Sequence, residues 1–290
     1  MPHSIPLHRP VLLAILAVGI AAGQPARIVS TTPSITETLF ALGLGSRVVG
    51  VSTFCRYPPE TGKIQKIGTF LQPNAEVILS LRPSLVIIQR NPISLGDRLK
   101  AMGLPVVEVN PAETADGVYS SIRTIASACG VPAKGESLIA SLANQLRHLR
   151  TKAGSLKPVK VAFVVGRTPG TLDGIFVAAK DSYLVELLTI AGGQNVFADS
   201  PAAYPKVTIE ELLARSPDVI LDMGDSTHIG SITEEHRKSV VRLWQRYPML
   251  SAVRNHRVLP VADDRFVVPG PRVAEAVREF GKMLHPEASW

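Results

Sequence analysis

The residues of this chain best placed to do chemistry are aromatic and polar side chains in loops that follow short β-branched runs. Tyr57 lies in Phe54-Cys-Arg-Tyr-Pro-Pro59, after the run Val48–Ser52, and Phe70 and Tyr204 occupy loops that each precede a short helical pattern. Phe266 closes the segment Asp263-Asp-Arg-Phe266, after the last run. Aromatic residues make up only 5% of the chain, so their recurrence in loops rather than strands is informative. Together they would line a cleft that sandwiches a flat or large ligand by apolar contact, with Gln89, Asp264 and Arg265 giving polar orientation. The competing reading is that each ring caps the core of its own lobe.

Bond-making chemistry lacks its signatures. The sequence holds no Gly-x-Ser-x-Gly elbow, no P-loop, no His-Glu-x-x-His helix and no spaced cysteine pairs. Gly43-Leu-Gly45 and Gly192-Gly193 are too short for a dinucleotide fingerprint and end helices rather than open them. An exported α/β enzyme would need a nucleophile with an adjacent base, and Ser30, Ser52, His228 and His256 do not assemble into one. His228 and His236, with Glu235, read as surface histidines rather than zinc ligands, and no catalytic or metal-ligating set is expected.

The elements that must position the loops alternate between strand and helix, which predicts an α/β chain of mainly parallel sheets. Strands are expected at Arg27–Ser30, Val48–Ser52, Leu85–Ile88 and Val106–Val109 in the first half, and at Val159–Val165, Val219–Met223 and Val258–Val261 in the second. Between the halves, Leu138, Leu142, Leu146 and Leu149 recur at helical spacing, with Pro132 at one end and Gly154 at the other. One long helix over residues 133–154 would join a lobe of residues 24–132 to a lobe of residues 155–290. The alternative is that this helix packs inside one continuous α/β domain.

An internal repeat favours two lobes. Ser34-Ile-Thr-Glu-Thr-Leu-Phe-Ala-Leu-Gly-Leu-Gly45 lines up without a gap on Ser182-Tyr-Leu-Val-Glu-Leu-Leu-Thr-Ile-Ala-Gly-Gly193, including glycines suited to end each helix in a left-handed turn. The stretch from Phe70 through Glu76 and Pro83 likewise matches that from Tyr204 through Glu210 and Pro217. Glu76 and Glu210 each fall in the first turn of a helix, where a carboxylate complements the helix dipole. A matched pair of surface charges, one per lobe, also suits docking on a two-subunit partner.

Composition bounds these readings. With 290 residues, 46% of them apolar and 19% charged, the chain is long enough for two cores and far from a disordered composition. The net charge of +7 is spread along the chain; its densest set, Arg237, Lys238, Arg242 and Arg246, reads as a solvated helix face, so no nucleic-acid partner is expected. His8 and Arg9 precede the apolar run Val11–Ala22, too short to span a bilayer, and Ala21-Ala-Gly23 offers a cleavage site. Residues 1–23 therefore read as a signal peptide with no lipid-anchor cysteine, leaving a soluble protein in the periplasm or its extracytoplasmic equivalent. Cys55 and Cys129 either pair, if their Cα atoms come within about 7 Å, or stay buried and separate.

The run Arg27-Ile-Val-Ser-Thr-Thr-Pro33-Ser-Ile-Thr-Glu37, the segment ending Tyr57-Pro-Pro-Glu60, the helix–Pro–strand units at Glu76 and Glu210, and Asp199-Ser-Pro-Ala-Ala-Tyr-Pro205 resemble the periplasmic binding proteins of ABC importers for vitamin B12, haem and ferric siderophores. The likeness is greatest to the members that bind vitamin B12. It covers essentially the whole chain after the leader. It implies two α/β lobes bridged by one long helix, little hinge motion, and a monomer that holds a cobalt- or iron-containing chelate between its lobes without a cofactor of its own. It also implies that Glu76 and Glu210 pair with arginines of the membrane permease dimer, and that Tyr57, Phe70, Gln89 and Tyr204 stand where aromatic side chains pack on a corrinoid. Phe70, Gln89 and Tyr204 replace tryptophans of that pattern, a cleft arginine becomes Val268, and the nearby aspartate is Asp264. The expected function is capture of a cobalamin-like corrinoid for an ABC importer, with haem or a ferric siderophore as the alternative.

Overall fold

The computed structural model describes residues 24–90, 94–224 and 232–290. The leader expected over residues 1–23 lies outside them, as does His228.

Ten helices and eleven strands, counted among the described residues, form two α/β lobes. The first lobe contains β1 (Ile28–Ser30), α1 (Pro33–Ala41), β2 (Val48–Val51), β3 (Gln65–Lys66), α2 (Ala75–Ser80), β4 (Leu85–Gln89), α3 (Leu95–Ala101), β5 (Val106–Val109) and α4 (Ala115–Ala128). Its sheet runs β3-β2-β1-β4-β5 and is parallel throughout. Successive residues of a strand point to opposite faces, and both faces here are covered by helices, so the central strands β1, β2 and β4 are almost wholly apolar. Thus Ile28, Leu85 and Ile87 pack beneath α1 and α4, while Val29, Val86 and Ile88 pack beneath α2 and α3.

The long helix α5 (Pro132–Ala153) follows, with Pro132 in its first turn, where a missing N–H costs nothing. Beyond it come β6 (Val159–Gly166), β7 (Ile175–Val177), α6 (Tyr183–Ile190), β8 (Gly193–Asn195), β9 (Lys206–Val207), α7 (Ile209–Arg215), β10 (Val219–Asp222), α8 (Glu234–Trp244), α9 (Ser251–Arg254), β11 (Val258–Pro260) and α10 (Val273–Leu284). The second sheet runs β11-β10-β6-β7-β9. Strands β10 and β11 run parallel to β6, whereas on its other side β7 is antiparallel to β6 and β9 antiparallel to β7. The first half of β6 also pairs with β8. The sequence reading does not select β3, β7, β8 and β9; β3, β8 and β9 are two or three residues long with at most one apolar side chain each, so no apolar run marks them.

The two helices of the sequence repeat do end in left-handed glycines, Gly43 at φ +76° and Gly192 at φ +87°. They are not opposite each other in the gapless alignment, which sets Gly43 against Ala191. Helix α1 has nine residues and α6 has eight, so the structural repeat is offset there by one position.

The lobes share a core. Ala115, Val118 and Ile122 of α4 and Ile139, Leu142, Leu146 and Leu149 of α5 belong to one apolar cluster with Leu184, Leu187 and Leu188 of α6 and Val277 and Phe280 of α10. Glu186 of α6 also accepts the backbone N–H of Ala115 at 2.7 Å, which satisfies an exposed donor at the start of α4. An apolar, hydrogen-bonded contact of this kind opposes a freely swinging hinge.

Cys55 and Cys129 are both free thiols and both buried. Among the described residues no helix is long and apolar enough to cross a membrane, and no cluster of three or more His, Cys, Asp or Glu is arranged to hold a metal ion.

Candidate functional site

Parallel sheets bring the loops that follow their strands to one edge, and ligands of open α/β sheets bind there, where the strand order reverses direction. In the first lobe the reversal lies between β1 and β4, since the chain goes from β1 outward to β2 and later returns to β4 on the other side. The loop after β1 is fixed by a buried hydroxyl cluster. Ser30 Oγ lies 2.7 Å from Thr36 Oγ1, Thr36 Oγ1 donates to the Thr32 carbonyl at 3.1 Å, and Cys55 Sγ lies 3.2 Å from Thr36 Oγ1. The Ser-Thr-Thr-Pro-Ser-Ile-Thr run is therefore a turn tied together by its own side chains.

The loop after β2 carries Phe54, Arg56 and Tyr57. Its inner side is held by Lys66 Nζ, which donates to the carbonyls of Cys55 at 3.0 Å and Thr61 at 3.1 Å, and by Ser52 Oγ, which accepts from the N–H of Phe54 at 3.2 Å. With its backbone anchored, the loop turns Phe54 outward. The loop after β3 carries Phe70 and is bent by Gly68 at φ +93°, where a Cβ would stand 2.6 Å from the Gln72 carbonyl oxygen. Only glycine fits that bend. Phe54 and Phe70 then meet with centroids 6.0 Å apart and planes tilted by 58°.

These loops and the loop after β11 enclose an open cleft of about 460 Å³. Its first-lobe wall is Thr32, Pro33, Ser34, Phe54, Arg56, Phe70 and Gln89, the last residue of β4. The second lobe contributes Asp264 and Val267 to Pro269. The volume falls in the range of small-molecule sites, with an apolar lining and a few convergent polar groups.

The predicted ligand residues divide. Phe70, Gln89 and Asp264 line this cleft. Tyr57 lies to its side, 42% exposed, with its ring face 4.3 Å from the Arg272 guanidinium carbon. Tyr204, 48% exposed, rises from the second lobe between Ala203 and Pro205, whose carbonyls accept from the N–H groups of Ala179 and Val177. Phe266 does not reach the cleft: it is 1% exposed and stacks on Phe280 with centroids 4.4 Å apart. The Asp264–Phe266 segment is a 3-10 turn, and at three residues per turn Asp264 and Phe266 point in different directions, one outward and one into the core. Arg265 is drawn away to Asp263 at 2.9 Å. Phe54, Arg56 and Val267 are cleft residues that the sequence reading did not select; the signal for Phe54 was its place three residues before Tyr57 in the same loop.

Beneath the cleft lies an ionic cluster that joins the lobes. Glu37 of α1 is 3% exposed, yet it is a carboxylate in an apolar helix face. Arg272, at the start of α10, donates from Nε to Glu37 Oε2 at 2.8 Å, and its Nη2 donates both to Glu37 Oε1 and, at 3.0 Å, to Asp264 Oδ1. Burial pushes the Glu37 carboxyl up to about 7; Arg272 opposes this and Asp264 adds to it. No periodicity links residues 37 and 272, so this cluster had no signal in the sequence.

Glu76 and Glu210 occupy equivalent places. Each is the second residue of a short helix, α2 or α7, whose preceding residue caps it: Asn74 accepts from the N–H of Val77 and Thr208 from that of Glu211. Both glutamates are exposed, and neither makes an ion pair among the described residues. His236 sits in the first turn of α8, where Thr233 Oγ1 accepts its N–H at 3.2 Å.

The family described as periplasmic binding protein matches residues 28–263. An uncharacterized ABC transporter substrate-binding lipoprotein, YvrC of Bacillus subtilis, is 31% identical over 91% of this chain and 81% of its own length. Among solved structures, the periplasmic vitamin B12 binding protein BtuF of Vibrio cholerae superimposes with a TM-score of 0.73 at 28% identity, covering 91% of this chain and 98% of that one. The periplasmic heme-binding protein RhuT from Roseiflexus sp. RS-1, in apo form, gives 0.75 at 30% identity, covering 91% and 99%. With two lobes on one shared core, an open aromatic cleft between them and a family match over most of its length, the chain belongs to the periplasmic binding proteins, which are solute binders rather than enzymes.

Proposed function

We propose that this chain is the extracytoplasmic substrate-binding component of an ABC importer and that it captures a cobalamin-like corrinoid between its lobes. In this reading residues 1–23 direct export, and residues 24–132 and 155–290 are the binding lobes on either side of the linking helix at 133–154. The observation that carries it is the placement of exposed rings: in a chain poor in aromatics, Phe54 and Phe70 are both more than a third exposed and both line the interlobe cleft, and exposed Tyr57 follows Phe54 in the same loop. Exposed rings of this kind offer the face contact that a macrocycle needs. Beside the charged Asp264 and Arg56, the cleft offers the neutral Gln89, Thr32 and Ser34, whose donors and acceptors can pair with the uncharged amide groups around a corrin. Glu76 and Glu210 would then dock one lobe each on the two permease subunits.

Haem is the second reading, favoured by the exposed phenols of Tyr57 and Tyr204, since a tyrosine can serve as an axial ligand to haem iron. Calorimetric titration of the purified mature protein with cyanocobalamin, haemin and ferric siderophores separates the two. Sub-micromolar binding of cyanocobalamin alone is expected. Haemin binding abolished by Tyr57→Phe or Tyr204→Phe would instead establish the second reading, and failure of every probe below the high micromolar range would defeat both.

A further inference from the structure

We propose that Arg272 is the positioning residue of the ligand cleft: its single guanidinium sets the orientation of both the Asp264 carboxylate and the Tyr57 ring, using buried Glu37 of the other lobe as its anchor. The proposal rests on the cleft being the ligand site. A pair serving only to tie the lobes together would need Arg272 and Glu37 alone. Here the guanidinium does three further things. Nη2 is shared with Asp264, which lines the cleft, the flat face lies 4.3 Å from the ring of Tyr57, and the whole group is 7% exposed, so it touches the site without itself being offered to solvent.

The geometry suits arginine and no other residue. A planar fork can bond carboxylates along its edge while a ring covers its face, whereas an ammonium is a point charge without a face to stack. Glu37 fixes the fork through Nε and Nη2 together, which removes its freedom to rotate. The carboxylate of Asp264 and the ring of Tyr57 come from loops on different lobes, and each on its own is free to turn toward water. Held by one rigid group, they are presented in fixed relation before the ligand arrives, and preorganisation of that kind raises affinity by lowering the ordering cost of binding. Arg272 thus acts through Asp264 and Tyr57, not by contact with the ligand.

The test uses the full mature chain with cyanocobalamin and haemin as probes. Arg272→Lys is expected to weaken the probe that the wild type binds by tenfold or more, and Glu37→Gln, which leaves one acceptor for a two-donor fork, by a smaller factor of about threefold to tenfold; the absence of an effect in either variant overturns the proposal. In an Asp264→Asn/Tyr57→Ala background, adding Arg272→Lys is expected to cause no further loss, because the groups it acts through are gone. A general structural defect would weaken binding equally in both backgrounds, and that result overturns the proposal. A ligand-free readout keeps the outcome independent of the ligand's identity. The Tyr57 ring signals in NMR, assigned with Tyr57→Phe, should shift in Arg272→Lys, and unchanged signals overturn the proposal even if neither probe binds. Failure of both probes on the wild type defeats the functional reading alone.

Discussion

Removing the cation from the interlobe cluster should produce a stability loss that grows with pH. In Arg272→Met the stem is replaced at similar volume, but Glu37, 3% exposed, loses both groups that favour its charge. Its carboxyl stands near 7 in the native protein against an ordinary value of 4.5. Because the folded value is the higher one, the favourable contribution is complete below about pH 4.5 and is lost as the pH climbs to about 7, above which it is constant. Without Arg272 the carboxyl should titrate higher still, toward the roughly 8–9 known for buried carboxyls, so the variant keeps losing stability where the wild type has levelled off. Each unit of separation is worth about 1.4 kcal/mol, so a variant value about 1.5 units above that of the wild type widens the gap by about 2 kcal/mol. At pH 6, where Glu37 is mostly protonated in both, the variant should lose only its hydrogen bonds, about 1–2 kcal/mol. At pH 9 the total should approach about 3–4 kcal/mol, in keeping with a buried pair broken from one side. Urea denaturation followed by circular dichroism at pH 6 and pH 9 measures the difference directly, since other titrating groups are common to both proteins. A gap that stays constant or narrows toward pH 9 refutes the reasoning, and Glu37→Gln/Arg272→Met should remove the pH dependence.

Three further outcomes follow from the site and the core. Phe54→Ala and Phe70→Ala should each weaken ligand binding by fivefold or more with stability changed by no more than about 0.5 kcal/mol, because both rings are exposed, whereas Phe266→Ala should cost about 3–5 kcal/mol of stability through the cavity left against Phe280; paired calorimetry and denaturation distinguish the two classes. Glu76→Ala with Glu210→Ala should weaken association with the reconstituted permease at least tenfold while ligand affinity stays within twofold, and equal loss of both would point instead to misfolding. Neither cysteine should react with a thiol reagent in the folded protein at pH 8, since burial raises both thiols, Cys129 to about 11, and both should titrate once the chain is unfolded; recovery of no thiol after unfolding would show a disulfide.

Much of the architecture was written locally. The β-branched runs at Ile28, Val48, Leu85, Val106, Val159, Val219 and Val258 gave seven of the strands, and Leu142, Leu146 and Leu149 gave the buried face of α5. Glycines at the ends of α1 and α6 and the first-turn positions of Glu76 and Glu210 were equally readable, because helix ends and periodicity depend on neighbours a few residues away. Strands β8 and β9 were not, since Gly-Gln-Asn and Lys-Val carry no apolar run and their pairing is decided by the partner strand.

Which loop residues line the cleft was settled only by the tertiary fold. Phe70 and Phe266 looked alike in sequence, each an aromatic in a loop near a strand end. The Gly68 bend turns one outward, and the pitch of a 3-10 turn drives the other against Phe280. The interlobe cluster is the extreme case: Glu37 and Arg272 stand 235 positions apart, and an acidic residue in α1 means nothing until α10 sets a guanidinium beside it. The sequence determined the elements and the edge of the sheet at which a ligand must lie, because those follow from short-range sterics and the burial of alternate side chains. Only the packing of one lobe on the other decided which polar groups meet, because charge and ring contacts depend on distance in space and not on distance along the chain.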